Sequence, residues 1–154
     1  MILQSDLREF IELLNSRKVE YVVVGGYAVA FHGYPRFTGD IDFFVRPTVE
    51  NGSRLVEVLG AFGFGSLSID PAIFAAPKKV VQLGRPPNRI DLITGIDGID
   101  FEEAWQSRVP ANLAGVPVSF LGRDALVRNK RAAGRPKDLL DIQYLEVLRT
   151  RKNA

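Results

Sequence analysis

In SDLREFIELLNSRK the apolar residues Leu7, Phe10, Ile11 and Leu14 recur at i, i+3, i+4 and i+7. That is the spacing of a helix with one buried face, and Asp6 followed by Glu9 reads as its capping box. The period then changes. VEYVVVGG is short, β-branched and stopped by Gly25 and Gly26, which predicts a buried strand. YAVAFHG predicts a short helix ending near Gly33, YPRFTG a loop, and DIDFFV a second strand closed by Pro47. In TVENGSRLVEVLGAFGF, Thr48 is the expected N-cap, Leu55, Val56, Leu59 and Phe62 the buried stripe, and Gly63 the stop.

Further along, KKVVQLG and NRIDLIT read as hairpin-like strands joined through Gly84, Pro86, Pro87 and Asn88. DFEEAWQSR is a short helix. GVPVSFLG is a last strand, expected at a sheet edge because Pro117 has no N–H to give to a neighbour. Two helices follow, RDALVRNKRAA and PKDLLDIQYLEVLRTR, separated by Gly134 and with Pro136 at a first helical position. This order predicts an α/β (α+β) fold: a mixed central sheet flanked by helices, with two helices at the C-terminus. We expect one domain over residues 1–154, with 123–150 as its C-terminal helical segment.

Composition narrows the function classes more than it names one. The 154 residues are 46% hydrophobic and 25% charged, as in a globular protein, and include no cysteine. Disulfides and thiolate metal sites are thereby excluded, and a reducing compartment fits. Residues 1–20 lack an apolar signal core, and no apolar run approaches the ~18 residues of a membrane span. A cytoplasmic protein without a membrane partner is the expectation. A net charge of +2 does not announce a nucleic-acid binder. The basic residues do gather late: Arg123, Arg128, Lys130, Arg131, Arg135, Lys137, Arg149, Arg151 and Lys152 face only Asp124, Asp138, Asp141 and Glu146. Such a segment meets phosphates or is a solvated helix face.

The chemistry is concentrated in GGYAVAFHGYPRFTGDIDFF. Asp40 and Asp42 sit where a strand wants apolar side chains, and their spacing points both to one face while Ile41 and Phe43 face the core. Paired carboxylates repel unless a cation stands between them, and magnesium prefers such hard oxygen ligands. Asp91, between Ile90 and Leu92, adds a third carboxylate if its strand neighbours DIDFFV. Gly25 and Gly26 let a triphosphate approach the backbone at the start of a helix, whose free N–H groups attract anions. Asp97 and Asp100 are rivals of Asp91, but Gly95 and Gly98 place them in a turn. His32 has a structural reading and Trp105 a core or interface one. No GxxxxGK[ST] loop occurs, and GFGSLS lacks the last glycine of a dinucleotide fingerprint.

Gly-Gly, a dozen residues, Asp-x-Asp and a distal Asp together resemble the nucleotidyltransferase superfamily that includes DNA polymerase β, in its minimal single-domain form. The loop PRFTGDID and the tail NKRAAGRPKDLLDIQYL are similar to prokaryotic stand-alone members, including abortive-infection (AbiEii-type) nucleotidyltransferase toxins. The resemblance spans about residues 19–148. It implies a nucleotidyltransferase fold and Mg2+-dependent, two-ion transfer of a nucleoside monophosphate from an NTP such as ATP to an acceptor hydroxyl. Asp40, Asp42 and Asp91 are then the catalytic and metal residues. Gly25, Gly26, Arg36, Thr38, Lys130, Arg135 and Lys137 are the expected nucleotide contacts. The implied acceptors are RNA, as for a toxin with an antitoxin partner, a protein side chain, or a small molecule, as in aminoglycoside or lincosamide nucleotidyltransferases. A non-catalytic nucleotide-binding regulatory module is the remaining reading, and a monomer or homodimer is expected.

Overall fold

Six strands form one sheet in the computed structural model, which describes residues 4–34, 38–65, 68–85 and 89–153. Helix α1 (Gln4–Ser16) precedes β1 (Tyr21–Val24), whose four residues are all buried. Helix α2 (Gly25–Phe31) starts at the glycines themselves, and β2 (Asp40–Val45) and α3 (Val49–Leu59) follow. Strands β3 (Val80–Leu83) and β4 (Arg89–Ile93) come next, then α4 (Phe101–Gln106). The chain ends with β5 (Val109–Leu113), β6 (Val116–Phe120), α5 (Arg123–Ala133) and α6 (Pro136–Asn153). The spatial order is β3-β4-β2-β1-β6-β5. β4 is parallel to β2 and β6 to β1, while the other neighbours run antiparallel. This is the mixed sheet expected, with two helices closing the chain. No described helix is long and apolar enough to cross a membrane.

One sheet face is sealed by aromatic and aliphatic packing. Phe10 of α1 lies 5.6 Å from the Phe43 ring of β2 and 5.2 Å from Phe62, centroid to centroid. Leu55 and Leu59 of α3 are buried, as their helical spacing implies, and Thr48 caps α3 by accepting from the Asn51 N–H. Gly63 does break this stretch: inside the π-helical turn Gly60–Phe64 that follows α3 its φ is 108°, a left-handed value that suits glycine.

Three local expectations change. Helix α1 already runs at Gln4, so Asp6 lies inside the first turn instead of capping it. Val109–Leu113 is a strand that sequence patterning does not reveal, because Pro110 and Asn112 interrupt its alternation. It pairs with β6 across Ala114 and Gly115, both at positive φ (54° and 81°), the turn geometry that matches strand twist. That hairpin moves β6 into the interior and leaves β5, with its own proline, at the edge. Pro117 is tolerated inside because β1 meets β6 only at Val23 and Phe120, while Asn15 Nδ2 donates to the Pro117 carbonyl at 2.8 Å.

Candidate active site

Parallel pairing sets Asp40 opposite Arg89, Ile41 opposite Ile90 and Asp42 opposite Asp91. Residues two apart share a strand face, so Asp40, Asp42, Arg89 and Asp91 project together. Ile41, Phe43, Ile90 and Leu92 are buried on the other side. Among the described residues, one oxygen from each of Asp40, Asp42 and Asp91 lies within 4.8 Å of the other two. The alternation in the sequence therefore places all three carboxylates in one cluster.

The glycines serve that cluster directly. Gly25 has φ +68°, and a Cβ built there would stand 2.2 Å from Asp42 Oδ2. The volume it vacates is occupied by a carboxylate. A Cβ on Gly26 would come within 3.0 Å of Thr38, whose hydroxyl is 3.0 Å from the Asp40 carbonyl oxygen and 3.3 Å from Asp40 Oδ1. Both glycines thus let side chains of the acidic strand and its leading loop close down on α2. Arg36 lies outside the described residues.

Arg89, which the sequence reading passed over, is the cation between the acids. Its Nε is 2.9 Å from Asp91 Oδ1, and its Nη2 is 3.1 Å from Asp91 Oδ2 and 3.4 Å from Asp40 Oδ2. The signal was present: the alternation that turns Asp91 toward the site turns Arg89 with it. Asp42 has no such relief, and its Oδ1 is buried without a hydrogen-bond partner. Burial, then hydrogen bonding to Asp40 and its charge, then Asp91, push the Asp42 pKa up to about 8. Burial also opposes charge on Asp40. Hydrogen bonding to Asp42, the Arg89 charge, and hydrogen bonds to Asp91 and Thr38 outweigh it and hold Asp40 below the usual carboxylate range. The phenol of Tyr27, in the first turn of α2, is raised by burial and by the negative charge of Asp40.

A cleft of about 350 Å³ opens beside the acids, with Val24, Gly25 and Asp42 on one wall and Asn129, Lys130, Arg135 and Asp138 on the other. Lys130 is buried, its Nζ 3.3 Å from Asp138 Oδ1 and 3.2 Å from Asp141 Oδ2. Arg135 grips Asp138 with two bonds, at 2.7 and 3.1 Å, and its backbone N–H donates to the same carboxylate. Burial disfavours charge on Asp138, but these Arg135 and Lys130 hydrogen bonds win and keep it below the usual range. Lys130 and Arg135 accordingly line the cleft already ion-paired, whereas Lys137 is exposed and outside the lining. Asp97 reaches the cleft from its turn, which Asn129 Nδ2 holds by donating to the Asp97 carbonyl at 2.9 Å. Asp100 accepts from the Glu103 N–H as the N-cap of α4, so neither rival joins the cluster. His32 Nε2 lies 2.7 Å from the Leu121 carbonyl oxygen, tying α2 to the end of β6.

Solved structures with a similar fold include the lincosamide antibiotic adenylyltransferase LnuA with lincomycin bound, at TM-score 0.56 and 14% identity, covering 94% of this chain and 97% of that one. An antigenic nucleotidyltransferase-like protein from Paracoccidioides brasiliensis matches at TM-score 0.54 and 21% identity, over 93% of this chain and 75% of that one. The antibiotic-resistance factor ANT(2'')-Ia matches at TM-score 0.50 and 14% identity, over 97% and 92%. No curated protein matches the sequence. The family model described as nucleotidyltransferase of unknown function (DUF6036) matches residues 3–151. With nearly its whole length inside that model and the nucleotidyltransferase fold around its three carboxylates, the chain belongs to this nucleotidyltransferase family.

Proposed function

We propose that this protein catalyses magnesium-dependent transfer of a nucleoside monophosphate from an NTP to an acceptor hydroxyl. The observation that carries the reading is the convergence of Asp40, Asp42 and Asp91 on one sheet face, beside a cleft, in a chain of a nucleotidyltransferase family. The residues fit a divalent cation: they offer hard oxygen ligands, and the buried Asp42 Oδ1 is an atom that such a cation would satisfy. Asp40 and Asp42 would hold both ions of a two-ion site, with Asp91 joining at the one nearer the acceptor. Bound there, the ions supply charge neutralisation for the triphosphate and the departing pyrophosphate.

The chain's own groups do the positioning. Asp91 orients the acceptor hydroxyl and takes its proton as the acceptor oxygen bonds to the α-phosphorus. The bond from that phosphorus to the β-phosphate bridging oxygen breaks, and pyrophosphate leaves with the electron pair. Thr38 fixes the Asp40 backbone and carboxylate, and Gly25 lets Asp42 reach its place. Lys130 and Arg135 face the triphosphate from the opposite wall of the cleft.

For the acceptor we favour a small hydroxyl-bearing molecule over RNA. Two of the similar folds belong to an antibiotic adenylyltransferase and an antibiotic-resistance factor. Four of the late basic residues that would greet an RNA backbone carry acidic partners, Arg123 with Asp124, Arg128 with Glu103, Lys130 with Asp138 and Asp141, and Arg135 with Asp138, which leaves the exposed Arg131 and Lys137 among the described residues. The test incubates the full chain with Mg2+ and each α-labelled NTP, offering lincosamides, aminoglycosides or total RNA. Label on a small molecule is the expected result. Label on RNA alone would restore the toxin-like reading, and label on no acceptor would favour a non-catalytic nucleotide-binding module.

A further inference from the structure

Beside the three carboxylates, one side chain occupies the place where positive charge is required, and it belongs to the chain itself. Arg89 sits opposite Asp40 in the β2–β4 register and two residues before Asp91, so its guanidinium shares the face of the acids. It takes both oxygens of Asp91, at 2.9 and 3.1 Å, and reaches Asp40 Oδ2 at 3.4 Å. The planar two-pronged fit to Asp91 is the strong form of a carboxylate ion pair. Its side chain is 27% exposed while that of Asp91 is 7% exposed, so the cation stands on the solvent side of the acid it covers.

We infer that Arg89 is a built-in counter-ion that competes with divalent cations for Asp91 and Asp40, so that metal loading depends on the arrival of the triphosphate. This inference rests on the metal-dependent reading given above. An ion that needs Asp91 must first strip it from the guanidinium, which covers the oxygens an ion would use. Free Mg2+ therefore meets a site whose charge is already partly neutralised, and binds weakly. An Mg2+–triphosphate complex differs, because its phosphate oxygens offer the released guanidinium new acceptors. Arg89 is on this account a positioning residue: it keeps the acids together while no ion is bound and yields them to an ion that comes with a nucleotide.

A residue that merely orients Asp91 for metal and a residue that competes with metal make opposite predictions. Calorimetry of the full chain with Mn2+ alone, and with Mg2+ alone, separates them at fixed pH without nucleotide. Arg89→Gln should bind the ion about tenfold tighter than the native protein, since a unit charge at this separation is worth at least that factor. Arg89→Lys, which keeps the charge and loses the fork, should fall between the two. Metal-free Arg89→Gln should also melt at lower temperature, and added Mg2+ should raise its melting temperature more than that of the native chain. This second readout serves even if the variant folds only with metal. Equal or weaker ion binding by Arg89→Gln overturns the inference and leaves the proposed transfer reaction standing. Tighter binding by the variant in a protein that labels no acceptor would keep the inference and overturn the reaction. No ion binding by either protein overturns both.

Discussion

Replacing Asp42 by asparagine tests the electrostatics of the site without any knowledge of its substrate. Native Asp42 has its pKa raised from 3.8 to about 8, chiefly by burial and next by Asp40. Below the unfolded value the carboxyl is protonated in both states and costs nothing. As pH rises, the unfolded chain releases the proton while the native protein keeps it, so the contribution of Asp42 to stability is lost progressively until about pH 8. Each pH unit in that window is worth about 1.4 kcal/mol per proton, so the interval from about pH 5 to about pH 8 sets a ceiling of about 4 kcal/mol. Local relaxation around the buried carboxyl brings the expected loss to about 2–4 kcal/mol. The side-chain amide of the variant cannot titrate. Urea unfolding in EDTA at about pH 5 and about pH 8 should therefore show Asp42→Asn gaining about 2–4 kcal/mol on the native protein between the two conditions. Saturating Mg2+ at the higher pH should stabilise the native protein and leave the variant little changed. A stability difference that is the same at both pH values would refute the reasoning.

Gly25→Ala forces a left-handed alanine whose Cβ meets Asp42 Oδ2, and should cost about 2–4 kcal/mol in urea unfolding; an unchanged midpoint would contradict the packing described. Lys130→Met removes the buried cation shared by Asp141 and Asp138, of which Asp138 keeps Arg135, and should destabilise by about 3–5 kcal/mol. If that variant keeps its stability but loses triphosphate affinity, Lys130 is a ligand contact and not a strut between α5 and α6. Asp91→Asn should lower the transfer rate at least about 100-fold with the fold intact by circular dichroism, and a smaller loss would remove Asp91 from proton transfer. Thr48→Ala should cost about 1 kcal/mol of stability through the lost cap on α3 and leave transfer untouched.

The acidic cluster was legible because strand alternation is a strict rule: once DIDFFV and NRIDLIT are strands, the facing of Asp40, Asp42 and Asp91 follows, and only their adjacency needs the fold. Arg89 obeyed the same rule, but attention to ligand chemistry favours acids and passes over the cation beside them. β5 stayed hidden for a different reason. Its Pro110 and Asn112 are poor strand formers, and an Ala-Gly turn carries a weaker hairpin signal than Asn-Gly. Asp138 and Asp141, three residues apart, share one face of a helix. Their burial with Lys130 did not show, because it arises from the packing of α5 against α6, a tertiary fact that no window of residues contains. The occupants of the glycine spaces were hidden likewise: a missing side chain says that something approaches, and here the visitors are Asp42 and Thr38.

The pairing of β2 with β4 also bears on how the protein assembles. The two strands are parallel, and the long segment between them contains α3 and β3, so their docking closes a large loop and is slow by topology. A strand bringing a lone aspartate to Asp40 and Asp42 would meet growing repulsion as the loop closed. β4 instead carries Arg89 and Asp91 on the same face, and approaches the acidic strand with no net charge on that face. The third negative charge thus enters the sheet with its own counter-charge, and the acidic centre can form before any ion is present to hold it.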